Sequence, residues 1–228
     1  MSLVPSATET LLALGVEPVG CTRFCDVEGI ATVGGTKHVD VDAVVALAPD
    51  LVVVNDEENR IEDAQELSRR GLVLHSMSPR SVADVGAAVG ALAGAVDVAP
   101  PPPFDRWDAW CARTRRVGRA RAFVAVWRRP WMSLAADTYG SSLLAHVGVA
   151  NVFAGAPDRY PEVSLAEVAA RAPDTVLLPS EPYAFAERHA AEVRDVLPAA
   201  EVRFVDGRDL FWWGIRTPAA AGRLARAL

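Results

Sequence analysis

Aromatic, acidic and arginine side chains cluster where apolar runs of the sequence end. The segment NDEENR at 55–60 follows the apolar run 52–54, and WRRPWM at 127–132 follows the apolar run 124–126. Guanidinium and aromatic groups together suit a planar or anionic ligand, and cation-π packing on a protein surface would have the same composition. The acids of 55–60 suit a polar ligand, and they also suit the first turn of a solvated helix.

The same combination follows two later apolar runs. PSEPYAF at 179–185 follows the run 176–178, and DGRDLFWWGIR at 206–216 follows the run 202–205. Ligands of α/β proteins bind beyond the carboxyl ends of parallel strands, so these strand ends predict a concave site with apolar walls and a few polar groups. The side chains predicted from these strand ends to contact the ligand are Glu57, Glu58, Arg60, Arg128, Trp131, Glu181, Tyr183 and Arg216.

The cysteine and histidine residues do not form a recognisable catalytic or metal-binding motif. Three residues separate Cys21 from Cys25, whereas redox and zinc sites place two between their cysteines. Cys25 is interpreted as a small buried hydrophobe, with a metal-binding or catalytic role as the alternative. His38 lies in a predicted loop and could reach a ligand. We therefore predict no catalytic residue, no directly bound metal and no tightly bound cofactor, and we expect a protein that is not an enzyme.

Composition excludes some partners and leaves the cellular location open. The chain has 228 residues, of which 51% are hydrophobic, and a formal net charge of -6. Its arginines are scattered among acids, so we expect no nucleic-acid partner. The start MSLVP lacks the basic and apolar regions of a signal segment. We expect an extracytoplasmic protein, periplasmic or lipid-anchored, if a signal segment was removed, and a cytoplasmic protein if Met1 is the native start.

An internal repeat divides the chain into two halves. VDAVVALAPDLVVV at 41–54 resembles LAEVAARAPDTVLL at 165–178, and each predicts a short helix, a Pro-Asp stop and a buried strand. Strands that alternate with helices predict parallel sheets of the α/β class. Between the halves, prolines at 100–103 open a segment of helical spacing at 104–116. The predicted divisions are an N-terminal α/β lobe over 1–98, a bridging helix within 99–120 and a C-terminal α/β lobe over 121–228.

Several segments of the chain carry a family resemblance. They are SLVPSATETL at 2–11, PVG at 18–20, CD at 25–26, VGGT at 33–36, APDLV at 48–52 and GVANVF at 148–153. Together they resemble the helical-backbone substrate-binding proteins of ABC importers for cobalamin and ferric siderophores. The resemblance implies two Rossmann-like lobes with parallel sheets, bridged by a single helix, in a monomer. It also implies capture of a metal chelate or corrinoid-like small molecule, such as a corrinoid, haem or a ferric chelate, in the cleft between the lobes.

The resemblance assigns roles to further single residues. Aromatic side chains line the cleft of the cobalamin-binding relatives, and by position Phe24, Tyr160 and Trp213 look like their counterparts. Two other aromatic positions of that pocket fall on Thr36 and Asn55. We expect all five positions to contact the ligand, and the two losses favour a smaller or more polar ligand than cobalamin.

The resemblance also implies a protein partner. The family docks on an ABC permease through one acidic residue on each lobe; here the first position looks like Asp42, and the second falls on Ala166 with Glu167 beside it. We predict that Asp42 and Glu167 serve docking. The alternative function is a cytoplasmic enzyme or ligand chaperone that retains the binding-protein fold but acts on a polar small molecule, because a fold alone does not determine function.

Overall fold

Strands and helices alternate along most of the chain, which confirms the α/β class expected from the sequence. The computed structural model describes residues 1–118 and 120–228. The elements of the first half are α1 (Pro5–Ala13), β1 (Gly20–Cys21), β2 (Ala31–Thr32), β3 (Gly34–Gly35), β4 (His38–Val39), α2 (Val41–Ala46), β5 (Val52–Val54), α3 (Ile61–Arg69), β6 (Leu74–Ser76) and α4 (Val82–Ala95).

The second half begins after a short 3-10 turn at Phe104–Arg106. Its elements are α5 (Trp107–Thr114), β7 (Ala120–Val124), β8 (Trp131–Met132), α6 (Tyr139–His146), β9 (Val149–Asn151), β10 (Glu162–Val163), α7 (Leu165–Ala170), β11 (Thr175–Pro179), α8 (Glu187–Val196), β12 (Glu201–Val205), α9 (Gly207–Phe211) and α10 (Thr217–Ala227). In the described part of the chain, no helix has both the length and the apolar character needed to cross a membrane.

The chain separates into two compact units. Unit 1 comprises Met1–Pro79, Asp84–Trp107 and Trp213–Arg216, and unit 2 comprises Arg80–Ala83, Asp108–Trp212 and Thr217–Leu228. Unit 1 thus includes four residues from near the C-terminus, and unit 2 includes four residues that precede most of α4. The predicted bridging segment 99–120 contains the 3-10 turn and α5; its residue 119 lies outside the described residues. The boundaries 1–98, 99–120 and 121–228 stay a prediction.

Unit 1 is built on short parallel strands. β5 pairs in parallel with β6, and β1 pairs in parallel with β2. The start of the chain joins these pairs, because Ser2 forms parallel bridges to both Cys21 and Val53. The core of this unit contains Met1, Leu3, Val33, Val44, Val52, Val54 and Leu67. All three valines of β5 are buried, as expected for a strand of a parallel sheet that is covered on both faces.

Unit 2 is built on a parallel sheet in which β12, β11, β7 and β9 lie side by side in that order. Its two inner strands are buried along 122–124 and 176–179. Because β7 and β11 are neighbours and run in parallel, the loops that follow them leave the sheet side by side at its carboxyl edge. Those loops carry most of the aromatic residues that the sequence predicts for the site in this half.

Candidate ligand-binding site

The loops after β7 and β11 bring four aromatic rings together in unit 2. Trp131 stacks on Phe185 with ring centroids 5.6 Å apart, and Phe185 lies 4.8 Å from the ring of Tyr183. Trp127 meets the edge of Tyr183 at 5.4 Å. We call these four residues the aromatic cluster. Both loops contribute two rings each, so the cluster depends on the parallel pairing of β7 with β11.

The aromatic cluster is buried on one side and open on the other. Trp131 and Phe185 expose only 6% and 8% of their surface, whereas Trp127 exposes 43%. Trp131 was predicted to contact the ligand, but it belongs to the core of unit 2, where it stacks on Phe185. Trp127 presents the largest open ring surface of the cluster. It was not predicted as a ligand contact, although it is the first residue of the WRRPWM segment.

Arg128 is held within unit 2 by Glu192 of α8. Its Nη2 lies 2.6 Å from Glu192 Oε1 and its Nε lies 3.1 Å from Oε2, while the guanidinium packs 4.9 Å from the Trp131 ring. The Arg128 side chain is 19% exposed. Since its charge is already matched by a two-point carboxylate partner, Arg128 braces Trp131 and does not offer an unpaired cation to an anionic ligand.

His189 fixes the hydroxyl of Tyr183. The Nδ1 atom of His189 accepts the backbone N–H of Ala186 at 2.9 Å, so its ring proton resides on Nε2, which lies 3.3 Å from Tyr183 Oη. Burial, and then the nearby Arg188 and Arg128, lower the pKa of His189 and keep the ring neutral. His189 Nε2 therefore donates to Tyr183, and the Tyr183 O–H can donate outward to a polar group of a ligand. His189 was not identified from the sequence because an isolated histidine has no recognisable spacing.

The other predicted residues of unit 2 lie on separate loops. Glu181 faces Arg208 with 3.7 Å between Oε2 and Nε, and both side chains are about one-third exposed. Tyr160 is 38% exposed, and the guanidinium of Arg159 lies 5.9 Å from its ring centre. Arg159 is in turn held by Asp137, so these loop positions are braced by ion pairs within the unit.

In unit 1, Asn55 organises the loop that follows β5. Its Oδ1 accepts the N–H groups of Glu57 at 2.7 Å and Glu58 at 2.9 Å, and its Nδ2 donates to the Met77 carbonyl at 2.7 Å. Asn55 is 3% exposed. The amide predicted to contact a ligand is therefore committed to holding the backbone of 55–60, which is the turn geometry that asparagine favours.

Asn59 completes the same loop, and its role was not predicted from the sequence. It accepts the Asn55 N–H at 2.9 Å and donates to the carbonyls of Leu3 and Thr36, both at 3.1 Å. Thr36 thus contributes its backbone oxygen to this network. The nearest signal in the sequence is the repeated asparagine at the two ends of 55–59, which brackets the acidic residues.

The charged predicted residues of this loop lie at its surface. Glu57 is exposed and Glu58 is half-buried, and Lys37 donates its Nζ hydrogen to the Glu57 carbonyl oxygen. Arg60 lies 3.4 Å from Glu62, with both side chains about half exposed or more. Exposed pairs of this kind contribute about 0–1 kcal/mol, so Arg60 can exchange Glu62 for another anion at little cost.

Phe24 lies in the loop after β1 and is 52% exposed. The Arg23 guanidinium packs 5.0 Å from its ring centre, and the ring lies against the backbone of Gly35, where an added Cβ would approach it to 3.2 Å. The glycine of the VGGT segment therefore allows the close approach of Phe24. Among the aromatic residues predicted for unit 1, Phe24 is the one with open ring surface.

The neighbouring Cys25 lies in a small group of thiols and hydroxyls. Its sulfur is 3.1 Å from Thr8 Oγ1 and 3.5 Å from Thr22 Oγ1. Burial, and then the charge and hydrogen bond of Cys25, raise the pKa of the Cys21 thiol to about 12. Cys21 therefore stays protonated, and its S–H is a donor beside the half-buried Cys25. The interpretation of Cys25 as a buried hydrophobe does not describe this polar setting.

Trp213 and Arg216 belong to the part of unit 1 that comes from near the C-terminus. Trp213 is 5% exposed, so little of its ring surface is open. Arg216 forms a two-point pair with Glu9 of α1, with distances of 2.9 Å and 2.7 Å. Like Arg128, Arg216 is matched by a glutamate of its own unit and offers no unpaired charge.

The predicted docking residues occupy helix starts. Asp42 lies in the first turn of α2, its side chain is 84% exposed, and it reaches Arg70 at 3.3 Å. Glu167 lies in the first turn of α7 and accepts the Ser164 backbone N–H at 2.7 Å and the Ser164 hydroxyl at 2.9 Å. These hydrogen bonds lower the pKa of Glu167, the backbone bond most. Glu167 thus has a local capping role, whereas Asp42 projects outward.

Known proteins of similar sequence include vitamin B12-binding proteins. No family model matches the chain. Among curated relatives, a vitamin B12-binding protein of Vibrio parahaemolyticus is 24% identical over 237 residues, which cover 96% of this chain and 83% of the relative. A vitamin B12-binding protein of Salmonella paratyphi A is 25% identical over 192 residues, covering 78% and 71%. These relatives are named as binding proteins, not as enzymes.

Solved structures match almost the whole chain. The periplasmic haem-binding protein BhuT in complex with two haems gives a TM-score of 0.84 at 23% identity, covering 99% of this chain and 95% of BhuT. The periplasmic vitamin B12-binding protein BtuF of Vibrio cholerae gives 0.79 at 19% identity, covering 99% and 94%. The chain therefore has the fold of these periplasmic binding proteins. The helical-backbone resemblance seen in the sequence is confirmed.

Proposed function

We propose that the protein is a substrate-binding protein that captures a metal tetrapyrrole, a corrinoid or haem, for an ABC importer. The observation that carries the proposal is the aromatic cluster, in which the open ring of Trp127 meets Tyr183, Tyr183 packs on Phe185, and Phe185 stacks on the buried Trp131. Planar macrocycles bind well to such surfaces because stacking adds to the burial of apolar area. The haem-binding and vitamin B12-binding names of the similar proteins point to the same ligand class.

Unit 2 supplies the recognition surface in this proposal. Trp127 and Tyr183 provide ring contacts and an outward O–H. Arg128 and Arg216 hold neighbouring side chains in place through their glutamate partners. The ligand is thus selected chiefly by shape and stacking, and no residue is assigned a catalytic role.

Transport completes the proposal. The similar solved structures are described as periplasmic, so we infer that this protein works outside the cytoplasm as a monomer and passes its ligand to an ABC permease. Asp42 is the docking residue that the structure supports best, because its carboxylate is 84% exposed. Glu167 is the less favourable docking residue, since its carboxylate already caps α7.

Trp127→Ala tests the ligand class. We expect isothermal titration calorimetry with hemin and with hydroxocobalamin to show binding of at least one of them to the wild-type protein. The Trp127→Ala variant should lose about 1.5 kcal/mol of binding free energy, roughly tenfold in Kd, because stacking and apolar burial are removed.

Phe204→Ala is the matched control. Phe204 is also an exposed aromatic residue of unit 2, at 48%, but lies on β12 outside the aromatic cluster. Its replacement should leave the Kd unchanged. Equal losses in the two variants, or no binding of either ligand to the wild-type protein, would contradict the proposal.

A further inference from the structure

Three arginines of unit 2 line one cavity at the edge of the sheet opposite the aromatic cluster. Arg113, Arg115 and Arg116 border a cavity of about 290 Å³, whose other walls include Trp110 and small residues of α10. The arginines precede β7 along the chain, whereas the aromatic cluster belongs to the loops that follow β7 and β11. The cavity therefore lies at the amino edge of the sheet, with all of its walls in unit 2.

The charges of these three arginines are not matched by acids. Among the described residues, no carboxylate forms an ion pair with any of their guanidinium groups, whereas Arg223 on α10 forms a two-point pair with Asp209. Arg116 donates from Nη1 to the carbonyl oxygen of Ala225 at 2.9 Å, which leaves its positive charge in place. Arg113 lies in the last turn of α5, and a helix end offsets only about half a charge. Positive charges around one small cavity repel one another, and an anion between them relieves that repulsion.

The wall beside the arginines uses its own polar groups internally. Thr114 donates its hydroxyl hydrogen to the Trp110 carbonyl at 2.8 Å, so its oxygen accepts the Nε2 hydrogen of His146 at 2.9 Å. Burial, and then the nearby Arg115, lower the pKa of His146 and keep its ring neutral. The neutral ring stacks on Trp110 with ring centroids 5.2 Å apart. The arginines are therefore the groups that can donate hydrogen bonds to a ligand of this cavity.

The backbone that carries the arginines is held in place by its neighbours. The Arg116 N–H donates to the carbonyl of His146 at the end of α6 at 2.8 Å, so Arg116 connects the ends of α6 and α10. Two residues later, Gly118 approaches the backbone of Gly148 so closely that a Cβ at Gly118 would clash with it. Because this segment is already ordered, binding of a ligand costs less conformational entropy.

We propose that this cavity binds a terminal phosphate group, carried by a small dissolved molecule or by a lipid headgroup. A guanidinium matches two phosphate oxygens with two parallel hydrogen bonds, and a terminal phosphate carries about 1.5 to 2 negative charges at pH 7, more than a carboxylate. The volume of about 290 Å³ lies at the lower end of the range for small-molecule sites, which suits a phosphate or diphosphate. Val117, the next residue along the chain, is fully exposed, so a membrane surface can also approach this segment.

Binding measurements with two phosphate probes test the inference. Calorimetry with inorganic diphosphate reports a dissolved ligand, and sedimentation with vesicles of equal parts phosphatidylcholine and phosphatidic acid reports a lipid. The proteins are the wild type, Arg113→Gln and Arg115→Gln, since both arginines are exposed and their replacement should leave the fold intact. Arg171→Gln is the matched control, because Arg171 is an exposed arginine of unit 2 that packs on Phe153 outside the cavity.

We expect the wild-type protein to bind at least one of the two probes. Arg113→Gln and Arg115→Gln should each raise the Kd about tenfold, because each loses a hydrogen bond between charged groups, and Arg171→Gln should leave it unchanged. Binding of diphosphate supports a dissolved ligand, and binding of the vesicles alone supports a lipid. Failure of the wild-type protein to bind either probe would overturn the inference, as would an equal loss in Arg171→Gln.

Discussion

Arg128 and Arg216 each form a two-point pair with a glutamate of the same unit. Arg128 pairs with Glu192 and also packs on Trp131, and Arg216 pairs with Glu9 on α1. A partly buried guanidinium that loses its carboxylate keeps the cost of its own desolvation, so each pair matters for the shape of its surroundings. At the scale of the residue, these arginines act as supports for the site.

Glu192→Gln tests this supporting role. We expect urea unfolding to show a loss of about 1 kcal/mol, because Arg128 would keep one hydrogen-bond acceptor and lose the charge that matches it. Glu187→Gln on the same helix is the control, since the Glu187–Arg194 pair is exposed and its change should be near zero. A neutral result at Glu192 would show that Trp131 is held by ring packing alone.

The sequence predicted which loops carry the candidate site and was less successful with single side chains. It predicted aromatic residues after β7 and β11, because an apolar run followed by turn-forming residues marks the end of a strand. It did not distinguish Trp131, which is buried, from Trp127, which is open, since both are tryptophans in one short segment. The engagement of Asn55 with the backbone depends on a tertiary contact with Met77, which no local pattern predicts.

At the scale of the element, the two copies of the internal repeat share an unusual backbone conformation. Ala48 and Ala172 occupy the same position of the repeat, and both have a positive φ, 43° and 44°. Each donates its N–H to the matching helix carbonyl, of Val45 or Ala169, at 3.0 Å, and each precedes a proline. A proline disfavours the helical conformation in the residue before it, so both helices end at the same step.

Ala172→Gly tests the strain at this stop. An L-residue in the left-handed region costs about 1–2 kcal/mol, and glycine avoids that cost at an entropic penalty of about 0.5–1 kcal/mol. Ala172 is exposed, so no packing is lost, and we expect a gain of about 0.5–1 kcal/mol in the free energy of unfolding. Ala191→Gly, at an exposed position inside α8, should instead lose about 1 kcal/mol.

Most elements of the repeat could be predicted because their signals are local. The N-caps Asp40 and Ser164, the helices after them and the strands β5 and β11 all follow from capping residues and apolar runs. The two-residue strands, such as β1 and β2, could not be predicted. A strand of two residues is too short to show an alternation of apolar and polar residues.

At the scale of the whole molecule, the sequence predicted the α/β class and two lobes. Each lobe was predicted as one continuous stretch of sequence, whereas each unit is built from several segments. Unit 1 includes 213–216, and unit 2 includes 80–83. These assignments arise from contacts between segments that are far apart in the sequence, such as Arg216 with Glu9. Local sequence patterns assign each segment to the unit of its sequence neighbours. They do not predict that a short segment packs in the other unit.

Arg128 and Arg216 are matched by glutamates, so neither should make the Kd depend on ionic strength. If no unpaired cation of the site meets the ligand, dissolved salt has little electrostatic attraction to screen. We expect the Kd for the tetrapyrrole to change by less than about threefold between dilute buffer and 1 M sodium chloride, where the Debye length is about 3 Å. A steep rise in Kd would reveal a Coulombic contact. Loading would then be equally effective in fresh and in saline surroundings, which a charge-steered receptor could not achieve.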